Sequence, residues 1–176
     1  MGEPVRYLNL DTDAEDRLWW LLRNREGVAM QKVSIIGLGW LGLPLAKRLM
    51  ASGVAVVGSS SQLASCQRLQ DQGLDCHHWH SQEMARLPSA LCTDTVILTL
   101  PPSRCPDYLR VLANLLQQLA QAGCQRLIYI GSTAIYGAAS IGDEAHPLET
   151  DSPRGERMAG AEALVMNSGI PDWCLI

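Results

Sequence analysis

The chain has 176 residues, of which 47% are hydrophobic, and its formal net charge of −4 comes from acids and bases scattered along the sequence. This length favours one domain with a sizeable core, and the charge disfavours nucleic acid or a membrane surface as a partner. No apolar run reaches membrane-spanning length, no signal peptide is recognisable, and the six cysteines are widely spaced, so we expect a cytoplasmic protein with reduced thiols.

The first 29 residues differ in character from the rest of the chain. Acids over 11–16 precede an apolar stripe over 18–22, a pattern that predicts a short amphipathic helix docked on the domain or on a partner. The alternative is that Met30 is the natural start, because the sequence from Met30 onward opens directly on a strand pattern. Both interpretations stay open at this point.

A glycine-spaced turn follows the first strand pattern. The segment 32–49 contains an apolar run, then Gly37-Leu38-Gly39-Trp40-Leu41-Gly42, and then a helical pattern. Gly37 permits a tight turn, Gly39 lets the backbone approach a pyrophosphate, and Gly42 lets the helix pack on the strand. The helix N-terminus offers N–H groups and a positive dipole end to phosphates. These six residues therefore predict a dinucleotide cradle, with an ordinary strand turn as the alternative.

Strand and helix patterns alternate from this turn to the end of the chain, which predicts a doubly wound parallel sheet of the Rossmann type with helices on both faces. We divide the chain into an N-terminal extension, 1–29, and a dinucleotide-binding Rossmann domain, 30–176. The last strand pattern stops without a turn, so we expect a fold truncated before its substrate-binding part, with a short edge strand as the alternative. The predicted strands are 33–36, 54–58, 74–78, 95–100, 126–130 and one starting at 173, and the predicted helices are 40–51, 62–72, 106–122 and 154–167.

The end of the second strand bears on the choice of cofactor. It carries Ser59, Ser60 and Ser61 and no acid, whereas NAD sites commonly place a carboxylate there to accept hydrogen bonds from the ribose. Hydroxyl and N–H groups can donate to a 2′-phosphate, so NADP is favoured and NAD is the second choice. Arg68 and Lys47 are the nearest basic residues in sequence. The alternative is that the serines are simple loop residues.

Two further segments lie at carboxyl ends of predicted strands. Thr99-Leu100-Pro101-Pro102 follows the fourth strand, and we expect this rigid lip to border the adenosine or nicotinamide ribose. A turn enforced by the prolines is the alternative. The string Gly131-Ser132-Thr133-Ala134-Ile135-Tyr136-Gly137 follows the fifth strand.

With these motifs, Glu162 and the segment 171–176, the chain resembles the extended or atypical short-chain dehydrogenase/reductase superfamily, in particular its epimerase/dehydratase group acting on nucleotide sugars. The resemblance runs from Lys32 to the last residue and covers the nucleotide-binding part of that family. It implies a nicotinamide cofactor, hydride transfer, and a Ser132 hydroxyl that hydrogen-bonds the substrate oxygen.

The chain departs from the family pattern at its acid/base pair. Alignment on Glu162 places the usual tyrosine and lysine at Arg154 and Met158. Arginine is always protonated and methionine carries no charge, so neither can replace its counterpart. Tyr136 is a weak substitute acid. The glycine spacing is that of other dehydrogenases rather than the G-x-x-G-x-x-G common in the family.

Three functions remain open at this point. The first is an NAD(P)-dependent oxidoreductase or epimerase acting by hydride transfer on a small polar or sugar-nucleotide substrate. The second is a sensor or scaffold protein that binds NAD(P) without catalysis, and a hydroxyacid- or imine-type enzyme is a third alternative. As partners we expect the dinucleotide and a small-molecule substrate, with a homodimer left open. The histidines at 77, 78 and 80 lack a nearby third ligand, so no metal site is expected.

Overall fold

Six strands and four α-helices make up the part of the chain that the computed structural model describes, namely residues 32–81, 85–102, 105–132, 135 and 152–176. The predictions for the N-terminal helix and for Tyr136 lie outside these residues. The strands are β1 (Lys32–Ile36), β2 (Ala55–Ser60), β3 (Asp75–His78), β4 (Thr95–Leu98), β5 (Arg126–Tyr129) and β6 (Asp172–Leu175). The helices are α1 (Gly42–Ala51), α2 (Leu63–Asp71), α3 (Tyr108–Gln121) and α4 (Pro153–Met166).

All six strands form one parallel sheet in the order β3-β2-β1-β4-β5-β6. The predicted Rossmann-type α/β fold is confirmed. The chain direction across the sheet reverses between β1 and β4, and open α/β sheets bind ligands at that point, beyond the carboxyl ends of their strands. The last residue of β1, Ile36, stands opposite Ser59 and Leu98, so the predicted site segments start from one sheet edge.

The strands are apolar on both sides because helices cover both faces of the sheet. Val33 and Ile35 join Ala46 and Leu49 of α1 in the core on one face. On the other face Ile36, at the end of the same strand, belongs to the core that includes residues of α3 and α4. Among the described residues no helix is both long and apolar enough to cross a membrane.

Candidate functional site

The glycines of the turn between β1 and α1 differ in what surrounds them. Gly37 has a φ of +112°, a conformation that side chains rarely adopt. A Cβ at Gly42 would lie 2.2 Å from the carbonyl oxygen of Gly37, so only glycine fits where the helix meets the turn. A Cβ at Gly39 would have no neighbour within 4 Å. Gly39 therefore borders open space that a ligand can fill.

Two hydroxyl groups hold Gly37 from the neighbouring strands. The Gly37 N–H donates to Ser59 Oγ at 3.1 Å, and Thr99 Oγ1 donates to the Gly37 carbonyl at 2.5 Å. The Leu38 N–H also donates to the backbone oxygen of Ser59 at 2.7 Å. Ser59 is only 2% exposed. Sequence reasoning missed this bracing role, although a polar residue ending the apolar strand pattern of β2 was a signal for it.

The start of α1 presents backbone N–H groups that the described part of the protein does not use. The Gly39 N–H donates to Gly37 O at 2.8 Å, and the Leu43 N–H donates to Gly39 O at 3.0 Å. Between them, the N–H groups of Trp40, Leu41 and Gly42 have no acceptor among the described residues. Unpaired amides at a helix N-terminus, together with the helix dipole, attract anionic groups.

A cavity of about 790 Å³ opens beside this turn. Its volume lies in the range of small-molecule and cofactor sites. The described lining contains no carboxylate, so its formal charge comes from Arg68 alone if His80 is neutral. The lining includes the six residues of the cradle, Ser59, Ser60, Ser61, Leu100 and Pro101, and also Gln62, Ser65, Arg68, Trp79, His80, Ser81, Thr99, Cys105 and Tyr108.

The serines at the end of β2 have different environments. The Ser60 hydroxyl hydrogen-bonds the backbone N–H and oxygen of Gln62, both at 3.3 Å. Ser61 is exposed, and its carbonyl oxygen lies 3.2 Å from His78 Nε2. Of the two predicted basic neighbours, Arg68 lines the cavity, whereas the exposed Lys47 is not among the lining residues.

The lip after β4 is held by a buried pair of tyrosines. The Tyr108 hydroxyl lies 3.3 Å from the Leu100 carbonyl and 3.0 Å from the Tyr129 hydroxyl. Burial raises the pKa of both phenols, and the neighbouring Tyr108 and Glu162 reinforce the rise in the pKa of Tyr129. Both tyrosines therefore stay protonated and fix the position of Leu100. Pro102 is not among the cavity-lining residues.

Ser132 lies beyond this cavity, at the carboxyl end of β5, and it is half-buried. The Arg154 guanidinium contacts it, with Nη2 3.4 Å from Ser132 Oγ. Arg154 lies in the first turn of α4, directly after Pro153. The Ser152 hydroxyl caps this turn by accepting a hydrogen bond from the Gly155 N–H at 3.0 Å. The structure thus brings together two residues that the family alignment paired.

Met158 and Glu162 follow Arg154 at four-residue intervals, so the three residues share one face of α4. Met158 is 1% exposed and Glu162 is 4% exposed. Burial raises the pKa of the Glu162 carboxyl. A Cβ at Gly131 would lie 3.0 Å from Glu162 Oε1, which explains why glycine precedes Ser132. An uncharged thioether therefore fills the position where the family has lysine.

The histidines after β3 have separate partners. His77 Nε2 lies 3.0 Å from Asp75 Oδ1, His78 contacts the Ser61 carbonyl, and His80 lines the cavity. Within the ranges that the structure describes, no three His, Cys, Asp or Glu side chains are grouped so that they could hold a metal ion.

Comparisons with known proteins agree with this geometry. Residues 32–146 match the family model for the NAD binding domain of 6-phosphogluconate dehydrogenase. The chain is 31% identical over 119 residues to protein YeeZ of Escherichia coli K12. The aligned region covers 62% of this chain and 43% of YeeZ.

Solved structures extend the match to the fold. A Methylobacillus flagellatus protein assigned as an NAD-dependent epimerase/dehydratase gives a TM-score of 0.65 at 28% identity, over 78% of this chain and 50% of that one. MoeE5, in complex with UDP-glucose and NAD, gives 0.64 at 22% identity, over 82% and 52% respectively. The chain thus spans about half the length of these structures and less than half of YeeZ.

The Methylobacillus match confirms the resemblance to epimerase/dehydratase proteins, and the family model confirms the predicted class of cofactor, a nicotinamide dinucleotide. The family model covers more than half of the chain and includes the glycine turn, the serines after β2 and the lip. The chain belongs to the family of NAD-binding domains typified by that of 6-phosphogluconate dehydrogenase.

Proposed function

We propose that this chain binds NADP in preference to NAD and takes part in an oxidoreductase or epimerase reaction on a small polar substrate, such as a sugar nucleotide. The observation that carries the proposal is the set of N–H groups of Trp40, Leu41 and Gly42. They border a cavity whose described lining contains one arginine and no carboxylate. An anionic cofactor with an additional phosphate suits such a site.

We assign each part of the dinucleotide to a different set of cavity residues. The amides of Trp40, Leu41 and Gly42 hold the pyrophosphate, and the open side of Gly39 admits it. Ser60 and Ser61 meet the adenosine ribose, and Arg68 donates to its 2′-phosphate. Leu100 and Pro101, which line the cavity, border a ribose. The buried Ser59 hydroxyl accepts a hydrogen bond from the Gly37 N–H and so holds Gly37 in place.

Ser132 serves the reacting oxygen of the substrate. A bound dinucleotide would supply or accept the hydride. A hydroxyl can both donate and accept as the charge on that oxygen changes, which suits Ser132 to either direction of the reaction. Tyr136 is the acid that we assign from the family resemblance. The UDP-glucose bound to MoeE5 supports a sugar nucleotide as the substrate class.

Calorimetric titration with NADPH and NADH tests the cofactor assignment. We expect NADPH to bind about tenfold more tightly, because Arg68 pairs with its extra phosphate. Arg68→Ala should remove this preference and leave NADH binding unchanged, whereas the matched control Lys47→Ala should keep it. Tighter binding of NADH by the unaltered protein would refute the NADP assignment.

A sensor or scaffold without catalysis is the second candidate. Arg154 and Met158, at the positions of the usual acid/base pair, favour it, since neither can transfer a proton at neutral pH. Oxidation of NADPH with a panel of carbonyl compounds, including UDP-sugars, separates the two candidates. Binding without turnover supports the sensor, and an activity that Ser132→Ala abolishes supports the enzyme.

The proposal also covers the organisation of the protein in the cell. We assign residues 1–29 to an extension and 30–176 to the cofactor domain, in a cytoplasmic protein that can form a homodimer. Mass spectrometry of the native protein tests the N-terminus, since a start at Met30 would remove the extension. Cell fractionation and sedimentation test the location and the oligomeric state.

A further inference from the structure

Arg154 occupies the position that the family alignment gives to the catalytic tyrosine, but its side chain cannot transfer protons. Its guanidinium is always charged and only donates hydrogen bonds, so Ser132 Oγ is the acceptor in their 3.4 Å contact. Met158, one helical turn further on, is buried and uncharged. The positive charge at this end of the sheet is therefore carried at the tip of an exposed arginine rather than by a buried lysine.

Arg154, like Arg68 and Arg157, forms no ion pair among the described residues. Arg110 pairs with Asp107, and Arg126 lies 3.5 Å from Asp172. No described carboxylate lies within ion-pair distance of Arg154. An arginine fork that is held by a hydroxyl and not neutralised by an acid is suited to bidentate binding of a carboxylate or phosphate.

We propose that Arg154, positioned beside Ser132, binds an anionic oxygen group of the substrate next to the carbon that exchanges hydride. The inference rests on the proposed function, because Ser132 marks the reacting end. The substrate is then a carbonyl or hydroxyl compound that bears a carboxylate or phosphate near the reacting carbon. Arg154 orients this acid group and takes no part in proton transfer.

The test measures anion binding through the NMR signal of the Arg154 side chain. In the 176-residue chain labelled with ¹⁵N-arginine, the Nε–Hε signal of Arg154 is assigned by its loss in Arg154→Gln. The protein is titrated with malonate, inorganic phosphate and glycerol, each with and without NADPH. We expect one or both anions to shift the Arg154 signal and glycerol to leave it unchanged. The anion that binds more tightly identifies the acid group as carboxylate or phosphate.

Arg157→Gln is the matched control, because it removes the same charge one turn along α4. Loss of a charge-assisted pair should weaken anion binding about tenfold or more in Arg154→Gln. Arg157→Gln should stay within about twofold of the unaltered protein, and Arg154→Lys should recover part of the affinity.

Several results would overturn the inference. One is an Arg154 signal that neither anion moves, and another is an equal loss of affinity in Arg157→Gln, which would show a general charge effect. A third is weaker NADPH binding in Arg154→Gln, measured by calorimetry, because the arginine would then belong to the cofactor site. Failure of the unaltered protein to bind any dinucleotide refutes the proposed function instead, while the titration without NADPH still decides whether Arg154 binds anions.

Discussion

The glycine turn after β1 offers backbone atoms to its ligand, whereas the region after β5 depends on the side chains of Ser132 and Arg154. In the turn, the glycine spacing places the amides of 40–42 at the start of α1, and the Ser59 and Thr99 hydroxyls brace Gly37 without meeting the ligand in this assignment. After β5, the site depends on which side chain α4 brings to the end of a different strand. A backbone site can therefore keep its ligand class while the neighbouring side-chain site changes its chemistry.

Among the variants that test this comparison, Gly42→Ala should have the largest effect on stability and NADPH binding. The added Cβ would lie 2.2 Å from a backbone oxygen, so the turn and α1 must move apart. We expect a loss of about 2–3 kcal/mol in the free energy of unfolding, measured by urea denaturation, together with loss of NADPH binding.

Gly39→Ala is its matched control, because the new Cβ meets no protein atom within 4 Å. Its stability should stay within about 0.5 kcal/mol of the unaltered protein. NADPH binding should nevertheless weaken about tenfold or more, since the methyl group enters the space assigned to the pyrophosphate. Unchanged NADPH affinity in Gly39→Ala would contradict the cradle assignment.

A smaller effect is expected where side chains brace the backbone site. Thr99→Val and Ser59→Ala each remove one hydrogen bond to Gly37, and we expect each to cost about 1 kcal/mol in the free energy of unfolding. Ser61→Ala is the control. Because Ser61 is exposed, this substitution should leave the free energy of unfolding unchanged. The measurement is urea denaturation of the three variants. Equal stability of all three would show that Gly37 holds its conformation without the two hydroxyls.

Sequence reasoning succeeded wherever a contact is local in the chain. The apolar runs gave every strand to within a few residues, and the spacing of Gly37, Gly39 and Gly42 located the turn. It put the start of α1 two residues early because Trp40 and Leu41 belong to the turn. The bracing of Gly37 by Thr99 joins residues 62 apart, and no local pattern encodes such a contact.

The contact between Arg154 and Ser132 was not predicted, although the family alignment placed both residues at catalytic positions. A charged residue in the first turn of a helix is ordinarily solvated, so local pattern alone gives no reason to pair it with a strand end 22 residues earlier. The burial of Glu162 is likewise set by tertiary packing, since α4 packs on α3 and β6. Side-chain sites of this kind depend on tertiary packing, which a single sequence does not specify.

The smallest expected effect concerns Glu162, and it depends on pH. Burial raises the pKa of this carboxyl in the folded protein above its value in the unfolded chain. Between the unfolded pKa, about 4.3, and the raised folded pKa, the folded state binds more protons than the unfolded state, so stability falls as pH rises. Above the folded pKa the full cost of the buried carboxylate remains.

Glu162→Gln removes this ionisation with little change in shape. The variant should therefore gain stability relative to the unaltered protein as pH rises from 4 toward 8, in urea denaturation at each pH. A difference between Glu162→Gln and the unaltered protein that stays constant over this pH range would mean that the carboxyl ionises as freely in the folded protein as in the unfolded chain. The face of α4 that carries Met158 and Glu162 would then be accessible to water.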